Sequence, residues 1–267
     1  MPEEAGEEVA VKVELSWNDH VATIRLNDPA SRNAVTAEMF DAIMDLLDIV
    51  AKDARALILT GAGGSFCAGA NIAVGMVDPA AADYDAGHVI ETHTNPLMER
   101  FRRLPVPWIS AVRGAAAGVG ASLALAADMI VAGETAFFLQ AFSRIGLAPD
   151  GGAAHLLVRT IGRPRAMELM LLGERLPARR AADWGLVNRV VPDEDVDAEA
   201  MALARRLAAG PASLRLIRKL AWEAVDTDWA QMLVVERHAQ QEAGASADHR
   251  EGVAAFLSKR AAGFVGQ

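Results

Sequence analysis

Alternating apolar and polar residues open the chain. Val11–Trp17 and His20–Leu26 each show the period of a half-buried strand, and Asn18-Asp19 between them predicts a hairpin. Thr36 stands where a helix N-cap is needed. Met39, Phe40, Ile43, Leu46, Leu47 and Val50 then form an apolar stripe at helical spacing, so a helix is predicted to about Lys52. The run 55–60 reads as a short buried strand. Residues 74–87 show no period and carry Pro79, which predicts a mobile loop. A helix over about 88–103 stops before Pro105 and Pro107, and Trp108–Val112 is the next buried strand. Val119, Leu123, Leu125 and Ala126 predict a buried helix that begins inside a glycine turn at Gly118. Strands near 128–132 and 136–140 follow. Past residue 150 the pattern is almost wholly helical, over about 151–161, 163–172, 178–184, 194–208, 211–225, 228–243 and 247–258, with one short strand at Val187–Val191. Strand–helix alternation followed by helices predicts an α/β fold with a C-terminal helical region. No exact repeat or low-complexity linker divides the chain.

Composition narrows the classes. With 267 residues, 52% hydrophobic and 23% charged, the chain has ample material for a core. A formal net charge of −9 argues against sequence-independent nucleic-acid binding, which needs cationic contacts to phosphate. Arg100, Arg102 and Arg103, and likewise Arg159, Arg163 and Arg165, read as solvated helix faces. The acidic stretch Pro2–Glu8 predicts a frayed tail and lacks the basic start of a signal peptide; no apolar run approaches the ~20 residues of a membrane span. Cys67 is the only cysteine, so an internal disulfide and a cysteine-based zinc site are both excluded, and a cytoplasmic location is the default expectation. No histidine or acidic spacing suggests a metal.

The chemistry concentrates in two glycine-rich turns, Gly61–Asn71 and Gly114–Ser122, each directly after a predicted strand. Backbone of that kind leaves N–H groups where a ligand oxygen can approach. Brought together, the turns would offer two amide donors to a developing oxyanion. Val119, at the start of a helix, has an N–H with no intrahelical partner, and Ala68 offers the second donor. The plainer reading is that both turns are tight only for packing. Neither carries the full dinucleotide fingerprint, and no Gly-Lys-Ser/Thr occurs, which excludes a P-loop. Asp150, set among Leu147, Ala148, Pro149 and two glycines, either caps the helix starting at Gly151, or shuttles a proton, or does both. Glu134 is expected to be solvated, Asp128 structural and Cys67 a small buried thiol. His88 and His93 lie near the loop with no partner to name.

Taken together, Leu26–Ala34, Gly61–Ile72, Ala111–Gly120, Ala127–Ile130, Gly146–Gly152 and Phe256–Arg260 resemble the enoyl-CoA hydratase/isomerase (crotonase) superfamily over nearly the whole chain. The resemblance implies a ClpP-like spiral of ββα repeats over 10–200 after a disordered tail at 1–9, and a helical trimerisation region over 201–267. It implies homotrimers, often paired into hexamers, and an acyl-CoA thioester as substrate with no separate cofactor. Its carbonyl would be held by the amides of Ala68 and Val119. Coenzyme A would lie along Ala30, Ser31 and Arg32 and along Ala68, Ala70, Asn71 and Ile72. Phe256 and Lys259 of a neighbouring subunit would close over it, with Arg32 and Lys259 facing the CoA phosphates.

Hydratases of this superfamily hold one water between two glutamates. The matching positions here are Ser122 and Phe142, and a phenyl ring cannot activate water. Asp150 instead matches the acidic position of Δ3,Δ2-enoyl-CoA isomerases and of ring-epoxide isomerases of aromatic-acid breakdown. The runs Ala141–Asp150 and Ser246–Phe256 look particularly like the second group. An isomerase is therefore the favoured expectation, with Phe142 and Leu147 raising the carboxyl pKa by excluding water. Two rivals stand beside it: an enoyl-CoA hydratase, and a non-catalytic acyl-CoA-binding protein, which would need no carboxylate at position 150.

Overall fold

A computed structural model describes residues 12–72 and 84–267. The acidic tail and all but residues 84–87 of the expected loop at 74–87 lie outside the described residues.

The predicted hairpin forms from β1 (Val13–Asn18) and β2 (Val21–Leu26), paired antiparallel. Thr36 accepts the Met39 N–H and starts α1 (Ala37–Asp53), whose stripe of Met39, Phe40, Ile43, Leu47 and Val50 is buried. The chain then adds β3 (Ala56–Gly61), a π-helical turn (Ile90–Thr94) continuing into α2 (Asn95–Arg103), and β4 (Trp108–Val112). Next come β5 (Ala115–Ala117), α3 (Val119–Leu125), β6 (Met129–Gly133) and β7 (Phe137–Leu139). The helical half holds α4 (Ala153–Leu172), β8 (Arg175–Pro177), α5 (Ala178–Asp183), β9 (Arg189–Val191), α6 (Val196–Ala208), α7 (Leu214–Glu223), α8 (Trp229–Ala245) and α9 (Ala247–Leu257).

Among the described residues the strands make a six-stranded sheet, β1-β2-β3-β4-β6-β9, parallel from β2 onward, and a three-stranded sheet, β5-β7-β8. In β4-β5-α3-β6 the chain leaves the large sheet for the small one and returns through a helix; after β6-β7-α4 it lays β8 in the small sheet and returns through α5 to β9. This is the expected spiral. The main core fills the space between the large sheet and α1 to α4, with Trp108 stacked on Phe101. On the sheet's other face Val21, Ala56, Ile58, Ile109 and Val131 pack against Val196, Ala200, Leu203, Ala204 and Ala208 of α6. No helix of the described residues is long and apolar enough to cross a membrane.

Two details differ from expectation. β5 and β8 were not foreseen, because three-residue strands rich in alanine or ending in proline carry no period. The strand foreseen at Val187–Val191 keeps only Arg189–Val191. The break foreseen between residues 161 and 163 is present: Gly162 adopts φ 76°, and Pro164 follows in the second half of α4. Asp128 is structural, as anticipated. It accepts the Trp108 N–H (2.9 Å) and binds Arg218 Nε (2.7 Å), whose remaining donors satisfy the carbonyls of Phe101, Arg102 and Leu104. That cluster ties α7 to the core.

Candidate active site

The two glycine turns meet. Cys67 donates its N–H to Ala115 O (2.9 Å) and accepts from Ala117 N (2.9 Å), so the first turn joins the second at β5. Two glycines in the left-handed region, Gly69 (φ 104°) and Gly118 (φ 53°), make the contact possible. A Cβ on Gly69 would stand 3.0 Å from Ala117 O, and one on Gly118 would stand 3.7 Å from Gly69 Cα. Each of these glycines is followed by a residue whose amide meets no acceptor among the described residues. Val119 begins α3, and its N–H has no acceptor among the described residues.

On the first turn the structure moves the donor. Ala68 was expected to supply it, but its N–H is already given to Arg32 O at 3.0 Å. Ala70 forms a bridge with Val35 in which Val35 N binds Gly69 O (2.8 Å) and Asn71 N binds Val35 O (2.9 Å). The Ala70 N–H therefore points to the other side, and no acceptor meets it among the described residues. Ala70 and Val119 thus each offer an amide that meets no acceptor among the described residues.

Asp150 lies on a turn packed against the start of α3. Gly151, its neighbour, sits so close to α3 that a Cβ there would be 2.9 Å from Ser122 Cβ and 3.5 Å from Val119 Cγ2. The Asp150 carbonyl accepts from Ser122 Oγ (3.0 Å) and Ala153 N (3.1 Å). Its carboxyl behaves differently. Oδ1 is buried with no hydrogen-bond partner among the described residues, and burial pushes the pKa up to about 6. Asp150 is not a helix cap: α4 starts from Gly152 in the left-handed region, with no side-chain cap bond. The buried Phe142 ring ends 4.0 Å from where a Gly118 Cβ would be, roofing the turn, whereas Leu147 is largely exposed.

The residues expected along coenzyme A divide. Ala30 and Ser31 form a 3-10 turn (Pro29–Ser31) that ends at Arg32 in the left-handed region (φ 56°), with Ala30 and Arg32 exposed. Asn33, not foreseen, locks this turn to the first glycine turn: its Nδ2 reaches Ala62 O (2.9 Å) and Ser65 O (2.7 Å), and its Oδ1 accepts Asp28 N (2.9 Å). The signal available was an asparagine, tolerant of left-handed backbone, at φ 58°. Asn71 is buried beside the bridge and Ile72 is exposed. Phe256 lies in the last turn of α9 and Lys259 just beyond it, both exposed. Phe256 is 82% exposed at the end of α9 and borders a cavity of about 900 Å³ between α7, α8 and α9. Cys67 is fully buried, and burial pushes its thiol up to about 11, an inert group. His93 is a surface residue paired with Thr92 and Asp41. Among the described residues no group of three His, Cys, Asp or Glu is placed to hold a metal.

Comparison with known proteins places this geometry. The family model described as enoyl-CoA hydratase/isomerase matches residues 16–267. The chain is 44% identical over 250 residues to the 1,2-epoxyphenylacetyl-CoA isomerase of Escherichia coli (strain K12), covering 92% of this chain and 95% of that one. It is 39% identical over 258 residues to a probable enoyl-CoA hydratase of Rhodobacter capsulatus, covering 96% and 98%. Among solved structures, a putative enoyl-CoA hydratase/isomerase from Mycobacterium abscessus superposes with a TM-score of 0.88 at 36% identity, over 96% of this chain and 100% of that one.

Proposed function

The chain belongs to the enoyl-CoA hydratase/isomerase family, and on that premise we propose that it is an isomerase of unsaturated or ring-type acyl-CoA thioesters, working with a single carboxylate. The observation that carries the reading is Asp150: a half-buried carboxyl whose Oδ1 is sealed off without a partner among the described residues, on a turn packed against the start of α3. In the proposed reaction Asp150 takes a proton from C2 of a 3-enoyl-CoA. The enolate oxygen that develops is held by the N–H groups of Ala70 and Val119, the latter aided by the dipole of α3. The same carboxyl returns the proton at C4, leaving the conjugated 2-enoyl thioester. A raised pKa suits a group that must both accept and donate near neutrality.

Hydration would require a second acid–base group to split water across the double bond. The Ser122 hydroxyl is engaged with the Asp150 carbonyl, and Phe142 is apolar, so neither supplies it. In this reading coenzyme A lies along Ala30, Ser31, Arg32, Asn71 and Ile72. Phe256 and Lys259 reach the coenzyme A of a neighbouring copy in a homotrimer or a pair of trimers. The exposure of both residues supports that arrangement.

The test follows conjugated-thioester absorbance with a trans-3-enoyl-CoA and, separately, a trans-2-enoyl-CoA. A rise with the first and little loss with the second is expected. Rapid loss with the second would replace the reading with a hydratase.

A further inference from the structure

Among the described residues the Asp150 carboxyl has no polar partner on Oδ1, so no hydrogen bond from them fixes where that oxygen stands. Its position is inherited from the backbone. That backbone is permissive, because Gly151 (φ 58°) and Gly152 (φ 77°) follow it, both in a region where glycine moves freely. Two bonds to the Asp150 carbonyl restrain it. One is local, from Ala153 N; the other, at 3.0 Å, comes from the hydroxyl of Ser122. The alternative acceptor for that hydroxyl, Gly118 O, is 3.5 Å away and weaker.

Ser122 is wholly buried in α3, every residue of which is buried. It stands one turn after Val119. The same short helix therefore carries an oxyanion donor and the anchor of the base. A small side chain is required there, since Gly151 already lies against it.

We propose that Ser122 is a positioning residue, whose hydroxyl holds the Asp150 carbonyl to α3 and so sets the Asp150 carboxyl at its working distance from the Val119 amide. The inference rests on the reading of Asp150 as the acid–base group.

Three variants are compared on the trans-3-enoyl-CoA substrate: Ser122→Ala, Gly151→Ala and Asp150→Asn. Ser122→Ala removes one oxygen and leaves the rest of α3 in place. It is expected to lower kcat about ten- to a hundredfold, the scale of small misplacements at reacting groups, with KM little changed. The acid limb of its pH profile is expected to move below about 6, as the loosened carboxyl gains water. Gly151→Ala presses on the same contact from the other side and is expected to show the same kcat-selective loss.

If Asp150→Asn is inactive while both other variants keep the wild-type kcat and acid limb, the positioning role is overturned and the function stands. A loss explained wholly by less folded protein, with kcat per folded site and the acid limb unchanged, overturns it as well. If Asp150→Asn stays active, the reading of the function falls, and this inference with it.

Discussion

Asp150 must be charged to take a proton, in surroundings that disfavour the charge. Below its ordinary value of 3.8 the carboxyl is neutral in both folded and unfolded chains, and it costs the fold nothing. As the pH rises towards its folded value of about 6, ionisation penalises the native state, and above that the penalty is complete. Two pK units correspond to about 3 kcal/mol, which partial access to water reduces to about 1–2 kcal/mol. Asp150→Asn is accordingly expected to lose at least about a hundredfold in turnover while its Tm at pH 8 rises by a few degrees. Calorimetry across pH 4 to 8 checks this: the gain should vanish towards pH 4, and a Tm below wild type at pH 8 would contradict the account. The carboxylate proposed as the base stands out in the sequence, alone among apolar residues and glycines. The proposed oxyanion donor could be placed only to the turn. Gly69, at φ 104°, breaks the alternation of amides along the turn, so composition could not choose between Ala68, whose N–H goes to Arg32 O, and Ala70, whose N–H meets no acceptor among the described residues.

The elements follow strong local signals. Thr36 as a cap, the α1 stripe and the break at Gly162 were all readable, because each rests on neighbours within a few residues. β5 was not, since Ala115–Ala117 is a strand only by virtue of its partners, Cys67 and β7. The pairing of the two turns has a further requirement on α3. A Cβ on Gly120 would stand 2.5 Å from Cys67 O and 2.7 Å from Cys67 Sγ, with no flexible side chain to give way. Gly120→Ala is expected to drive the turns apart, at a cost of about 1–3 kcal/mol in denaturant titration and a larger proportional loss of kcat. Unchanged stability would mean that the contact is softer than its spacing implies.

At the scale of the molecule, the C-terminal helices are bound to the core through buried polar knots that sequence patterns do not register. Arg218 with Asp128 is one. Asp248 is another, gathering the amides of Ala212, Val265 and Gly266, while Arg55 reaches Gly210 O and Phe264 O. The assembly expected of the C-terminal region came from resemblance, not from any pattern in the chain. Cys67, clasped between the two turns, lends the protein a built-in clock. The chain has no other thiol, and this one is shut away where the turns join. A colourless disulfide reagent that releases a dye on reaction should find nothing in the native protein and turn yellow only as those turns part. Its rate would then time the opening of the joined turns without a label, an engineered residue or a substrate. Immediate colour in native buffer would show that the clasp is open at rest.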